Sequence, residues 1–193
     1  MSRTHTFSRL GLLRGSLVFA LCLMQATHAL AGDLLSRIEA SLAQGSEIMH
    51  IPTAAFAEKL AASDSGPVLF DVRNPDEFAV SHLPGAIRID PETAGTAFLE
   101  QYGGLLETDE VIFYCSTGRR STALAEEVAQ TIRERDLSLP SPANLQGGIF
   151  RWHNEGRMLV DAHGATEAIH PYNWIWKNLL SRKALASYEP QGF

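Results

Sequence analysis

Two short runs of uninterrupted apolar residues, within "PVLFDVR" (67–73) and "EVIFYC" (110–115), constrain the fold more than any other feature of this chain. A strand that is apolar at successive positions has no face to turn to water. It must be covered on both sides, which is the situation of strands in parallel sheets whose crossover connections lay helices on both faces. The neighbouring segments supply those connections. A helix opened by Thr53 carries Phe56 and Leu60, "TAFLEQYGG" reads as helical, and a long helix from Arg119 sets Ala125, Val128, Ala129 and Ile132 on one stripe. "EIMHIP" reads as an edge strand, "AIRID" as a further strand, "ANLQGG" as a weak one, and "GIFRWHNEG" as a last core helix. "LSLPSPAN" (137–144) reads as a proline-containing surface loop. Strand and helix alternate, so the expected class is α/β, a mostly parallel five-stranded sheet with helices on both faces.

The N-terminus predicts export. Arg3, Arg9 and Arg14 precede the apolar run "SLVFALCLM", and "ALAGD" then offers small residues at Ala29 and Ala31. This is the pattern of a secretory signal over 1–31, cleaved after Ala31, and the run is too short to span a bilayer. A periplasmic protein is expected. Cleavage leaves 13 basic against 22 acidic residues, a net of −9, which argues against nucleic-acid binding. It also removes Cys22 and leaves Cys115 alone. An unpaired cysteine in an oxidising compartment is an intermolecular partner or a reactive thiol.

Cys115 stands in "YCSTGRRS" (114–121), at the carboxyl end of its strand, where ligands of open α/β sheets sit. The thiolate is the nucleophilic form of cysteine, and three features favour an anion there. The helix that follows brings the positive end of its dipole. Gly118 allows the backbone to curl its N–H groups inward as a cradle. Arg119 and Arg120 add full charges. Two chemistries use such a loop: phosphate-ester hydrolysis, with arginine six places after the cysteine, and sulfur transfer through a persulfide. Here Ser121 holds the sixth place and Arg120 the fifth, so the shorter loop favours sulfur transfer.

Four segments in order then resemble one family, the rhodaneses or thiosulfate sulfurtransferases. "DVRNPDEF" (71–78) looks like the family's first signature, and "SHLPGAIRI" (81–89) is similar to its G-H-I-P-G-A segment with Ser81 in place of glycine. "YCSTGRRS" resembles the active-site loop C-x-x-G-x-R-S, and "LQGGIFRW" (145–152) the closing L-x-G-G-x-x-x-W. The resemblance covers about 48–160 and implies a rhodanese-like domain there, after a leading helix over 32–47. It implies Cys115 as the persulfide-forming nucleophile. Ser116, Thr117, Gly118, Arg119 and Arg120 would cradle the sulfur and its departing anion. Arg73 corresponds to the family's arginine near the substrate, while Asp71 and Ser121 support the loop. A direct substrate role is expected of Arg120 before Arg73, and least of Arg119. No cofactor is implied. The implied partners are a small anionic sulfur donor and a thiol or cyanide acceptor, and a monomer is expected. Two rivals remain: a sulfur carrier or redox-sensing module without turnover, and a phosphatase or arsenate reductase on the same fold.

The remaining histidines and aromatics read as structural. His82 belongs to the "HLPGA" turn and Trp152 to the core. His153, His163 and His170 lack cysteine or carboxylate partners at ligand spacing, so no metal is expected. The tail, 161–193, lies outside the resemblance. In "HPYNWIWKNLLSRKALASY" (170–188) Pro171 suits a first helical position. Tyr172, Trp176, Leu179 and Leu180 would share one face, with Lys177, Arg182 and Lys183 nearby. This predicts an aromatic, basic helix that folds back on its own domain to close the sheet edge. The alternative use of 171–187 is docking on an acidic protein partner or a membrane surface.

Overall fold

The computed structural model describes residues 34–62 and 66–190 of the 193-residue chain. The expected signal segment, 1–31, with Cys22, lies outside the described residues. Helix α1 (34–45) docks onto the domain by burying Leu35, and its Glu39 carboxylate accepts from Arg151 Nε at 2.8 Å. The leading helix is therefore part of the domain's own packing.

Strands β1 (His50–Ile51), β2 (Val68–Asp71), β3 (Ile87–Arg88), β4 (Val111–Tyr114) and β5 (Ala143–Leu145) form one five-stranded sheet in the order β1-β5-β4-β2-β3. Every pairing in it is parallel. The two apolar runs became β2 and β4, which pair with each other near the middle. All four residues of β4 are buried. Alternate side chains leave the sheet on opposite faces. Leu69, Ile112, Tyr114 and Leu145 enter one core, beside Phe56 of α2 (Thr53–Ala62) and Ile149 and Phe150 of α7 (Gly148–Asn154). Phe70, Phe113 and Cys115 enter the other, beneath Phe98 of α4 (Gly95–Tyr102), Leu106 of α5 (Leu105–Thr108) and the stripe of α6 (Arg119–Glu134). The expected stripe residues Ala125, Val128, Ala129 and Ile132 are all buried there. The weak strand β5 finds its place because Asn144 and Gln146 donate their N–H groups to Met49 and Ile51 carbonyls.

Beyond the sheet the chain departs from expectation. Strands β6 (Leu159–Asp161) and β7 (Gly164–Thr166) form an antiparallel hairpin across the boundary drawn at 160. Its turn is held by Asp161 Oδ1, which accepts from the N–H groups of His163 and Gly164. Val160 exchanges two backbone hydrogen bonds with His82 and so ties the hairpin to the "HLPGA" turn.

The tail folds back as expected, but not as an α-helix. Two short 3-10 turns, Trp176–Leu179 and Lys183–Leu185, replace the helix, and the periodicity misleads for a local reason. Tyr172 sits at φ +64°, a left-handed conformation that cannot propagate a helix. Asn173 Oδ1 then accepts from the N–H groups of Ile175 and Trp176, so the next turn starts afresh. Leu179 and Leu180 enter the core that holds Phe56 and Phe150. The segment packs on this face of the sheet, not along its edge. Leu180 is fully buried, so Leu180→Ala should lower the unfolding free energy by about 2–5 kcal/mol in urea melts. Truncation after Asp161 should cost more and give an aggregating protein. An unchanged midpoint for both variants would show that the tail adds nothing to the core.

Candidate active site

Strand β4 ends at Tyr114 and α6 begins at Arg119, so residues 115–118 must turn the chain from sheet to helix in a few steps. Gly118 makes the turn at φ +96°, a conformation that side chains rarely adopt. The space beneath it is also taken. A Cβ there would lie 3.1 Å from Asn144 Nδ2. The loop is fixed from a second side by α7, where Ile149 and Phe150 donate their N–H groups to the Cys115 and Ser116 carbonyls at 2.9 and 3.0 Å. Gly148 permits this approach. It lies at φ +56°, and a Cβ would come within 2.2 Å of the Cys115 carbonyl oxygen. The "LQGG" segment thus belongs to the site because its backbone holds the loop.

Side chains complete the frame. Ser121 Oγ donates to Asn144 Oδ1 at 2.6 Å, and Asn144 Nδ2 lies 3.1 Å from His50 Nδ1. The place six after the cysteine therefore anchors α6 to β5 and does not reach the cavity, and Ser121 is fully buried. Thr122 Oγ1 donates to the Gly118 carbonyl at 2.7 Å.

Glu77, on α3 (Pro75–Val80), was not anticipated. Its carboxylate is fully buried and receives Ser116 Oγ at 2.8 Å and both terminal nitrogens of Arg120 at 2.8 and 2.9 Å. It also accepts from the Asn74 N–H at 3.2 Å. Burial would raise its pKa, but the Arg120 guanidinium outweighs burial and holds the carboxyl below its ordinary range. Asn74 followed three residues later by Glu77 is a capping-box spacing, the one local mark that could have drawn attention to it.

The three candidate arginines separate. Arg73 is fully buried: its Nε and Nη2 donate to Asp71 at 2.8 and 2.7 Å, and Nη2 donates to the Ser81 carbonyl at 2.6 Å. This corrects the expectation of a substrate contact. Arg73 and Asp71 are a brace between β2 and the "SHLPGA" turn, because both charges are spent on each other below the surface. Arg120 reaches the cavity, where it pairs with Glu77, donates to Ser116 Oγ at 3.0 Å and lies close enough to Cys115 to interact with it electrostatically. Arg119, ranked last, is exposed at the cavity wall, and no carboxylate among the described residues pairs with it.

The cavity has a volume of about 240 Å³. Cys115, Ser116 and Thr117 line it together with Arg119 and Arg120, and Tyr172 and Trp176 of the tail complete it. Cys115 is the one free cysteine among the described residues and only 1 % exposed, so reagents reach it through this cavity. The Arg120 guanidinium lies 5.1 Å from the Tyr172 ring centre.

The other expected structural residues are placed outside the cavity. The His82 ring stacks on Phe78 at 3.8 Å, with Nδ1 3.1 Å from the Phe78 carbonyl. Trp152 Nε1 donates to the Met158 carbonyl at 2.8 Å. His153 is buried with Nε2 3.1 Å from the Glu167 carbonyl.

Residues 50–155, more than half of the chain, match the rhodanese-like domain family, and the chain belongs to it. It is 29 % identical to the thiosulfate:glutathione sulfurtransferase of Saccharomyces cerevisiae, with 61 % of this chain and 89 % of that protein covered. It is 30 % identical to YrkF of Bacillus subtilis, whose name proposes it as a sulfur carrier protein, over 59 % of this chain. That match spans 56 % of YrkF. Among solved structures, a rhodanese-related protein from Thermoplasma volcanium is 26 % identical with a TM-score of 0.44, covering 58 % of this chain and 97 % of that one.

Two stability measurements probe this arrangement. Arg120→Ala strands the buried Glu77 carboxylate without its counter-ion, and should cost about 3–5 kcal/mol in denaturant melts. Arg119→Ala should cost less than about 1 kcal/mol, since no carboxylate among the described residues pairs with it. Equal losses would show that the Glu77 pair carries no special weight.

His153 gives a pH signature. Burial pushes its pKa from the ordinary 6.5 down to about 4, with the Glu167 carbonyl offsetting only part. Between these values the unfolded imidazole binds a proton and the folded one does not. Stability is therefore lost as the solution is acidified from pH 6.5 to 4, by on the order of 3 kcal/mol. His153→Gln should flatten that slope in melts taken across the window, and an unaltered slope would assign the acid sensitivity elsewhere.

Proposed function

We propose that this protein is a sulfurtransferase that carries a sulfane sulfur as a persulfide on Cys115. The observation that carries the reading is a single cysteine at the floor of a cavity whose rim supplies positive charge and unpaired helix N–H groups. The first-turn N–H groups of α6 have no acceptor within the helix. With the dipole of this 16-residue helix behind them they favour an anion beside the thiol.

In the first half-reaction the Cys115 thiolate attacks the outer sulfur of thiosulfate. A new S–S bond forms on Sγ, the old S–S bond breaks, and its electron pair leaves with sulfite. The trianionic charge of the reactants is conserved in the persulfide anion plus sulfite. Arg119 and the first turn of α6 hold the sulfonate oxygens as charge moves onto them. Arg120 holds Ser116 and Glu77, so the loop keeps its shape when the anion departs. In the second half-reaction a thiolate or cyanide attacks the outer persulfide sulfur and restores the Cys115 thiolate. No acid, base, metal or cofactor is required by either step. The same reading makes the mature protein periplasmic, supported by the basic and apolar leader over 1–31.

A carrier that accepts sulfur only from a dedicated protein is the second reading, supported by the likeness to YrkF. Intact mass and turnover distinguish the two. Wild type should gain one sulfur atom from thiosulfate and lose it to cyanide, and Cys115→Ser should gain none. Arg119→Ala should lower kcat/KM for thiosulfate by about ten- to a hundredfold, the worth of a charge-assisted contact of about 1.5–3 kcal/mol. Sulfur gained without steady turnover would favour the carrier, and an unchanged mass with every small donor would end the enzymatic reading.

A further inference from the structure

The cavity has two chemically different halves. One comes from the family's own loop and is built for an anion: Arg119, Arg120 and the N-terminus of α6. The other comes from a segment beyond the matched region, 50–155, and is aromatic: Tyr172 and Trp176. Thiosulfate and cyanide have no apolar surface to lay against such a wall. The volume, about 240 Å³, leaves room for more than a small inorganic ion.

The backbone of the aromatic half is held by side-chain hydrogen bonds, and the Tyr172 side of it remains 42 % exposed. The Tyr172 N–H donates to His170 Nδ1 at 3.1 Å, which fixes the left-handed turn that brings the ring to the cavity. The Trp176 N–H is held by Asn173 Oδ1 at 3.0 Å, and the Trp176 side chain packs against the core on its far side. The two rings meet edge to face, 5.6 Å between centres. A preformed, largely apolar wall facing a few fixed polar groups is the usual make-up of a site for an organic ligand.

Resting on the sulfurtransferase reading, we propose that Tyr172 and Trp176 determine specificity for sulfur donors that carry an apolar organic group, of the thiosulfonate type R–SO₂–S⁻. In such a donor one oxygen of thiosulfate is replaced by R. The outer sulfur meets Cys115, the sulfonyl oxygens meet Arg119 and the α6 terminus, and R lies on the aromatic pair. The Cys115 thiolate attacks the outer sulfur, a new S–S bond forms, and the bond to the sulfonyl sulfur breaks with its electron pair. Persulfide anion and sulfinate, R–SO₂⁻, result, with two negative charges on each side of the equation.

The rival account gives the rings a protective role only, keeping water from the Arg120–Glu77 pair. The two accounts separate in the ratio of kcat/KM for benzenethiosulfonate to that for thiosulfate, because a comparison of variants cancels the intrinsic reactivity of each donor. The full-length mature protein is assayed with cyanide as acceptor, and sulfur on Cys115 is followed by intact mass. Tyr172→Ala and Trp176→Ala should each lower the ratio by about three- to tenfold, the worth of an aromatic contact, and Tyr172→Phe should hold it within about twofold. If Trp176→Ala fails to fold, the Tyr172 pair of variants decides alone. Equal losses with both donors would overturn the proposal and leave the rings as a shield. A wild type loaded by thiosulfate but not by benzenethiosulfonate would overturn it too, with the sulfurtransferase reading intact. Loading by neither donor would end both.

Discussion

The arrangement of this site depends on one buried carboxylate. Glu77 is out of water and accepts from Arg120, Ser116 and the Asn74 backbone, which lie on the long helix, the cysteine loop and the start of α3. A buried charge this well paired is not evidence of net stabilisation, because desolvation consumes much of the attraction. Its effect is on geometry. A carboxylate that must be satisfied from three directions allows one placement of the loop, and a preformed cradle loses little when an anion enters it.

That constraint redistributes the roles of the arginines. A guanidinium held bidentately by a buried carboxylate is a fixed scaffold with little charge left to offer. Arg73 with Asp71 is of this kind, whereas Arg120, though held by Glu77, still faces Cys115. Among the described residues no carboxylate pairs with Arg119, whose side chain stands in solvent where it can meet an incoming ion. Two charge pairs therefore shape the site, Arg120 also faces the thiol, and Arg119 is left for the ligand.

What was legible in the sequence was what is local. Apolar runs of four residues, the stripe of α6, the glycines of the loop and the lone cysteine all express their physics within a few positions. They sufficed to put Cys115 at the end of a buried parallel strand. The residues that escaped notice act across the chain. Glu77 meets Arg120 43 positions away, and Asn144 meets Ser121 23 positions away. Neither pairing leaves a periodic mark. Arg73 was misassigned for the complementary reason: the same residue type in the same motif can face a ligand or a neighbouring aspartate, and only its burial decides. The tail misled because its spacing is helical while its local chemistry is not. An asparagine able to cap the following turn, behind a left-handed tyrosine, outweighs four well-spaced apolar residues.

The placement of Tyr172 and Trp176 well after Cys115 in the sequence also has a consequence in time. About 60 residues separate Cys115 from Trp176, so at ordinary synthesis rates the thiol precedes its aromatic cover by roughly 3–12 s. The loop's own supports, Asn144, Ile149 and Phe150, are made within that interval and still precede the wall. A chain in which this wall has not yet docked holds a cysteine more open to oxidants than the finished molecule, where Cys115 is 1 % exposed. Docking of Tyr172 and Trp176 on the domain therefore also encloses the nucleophile.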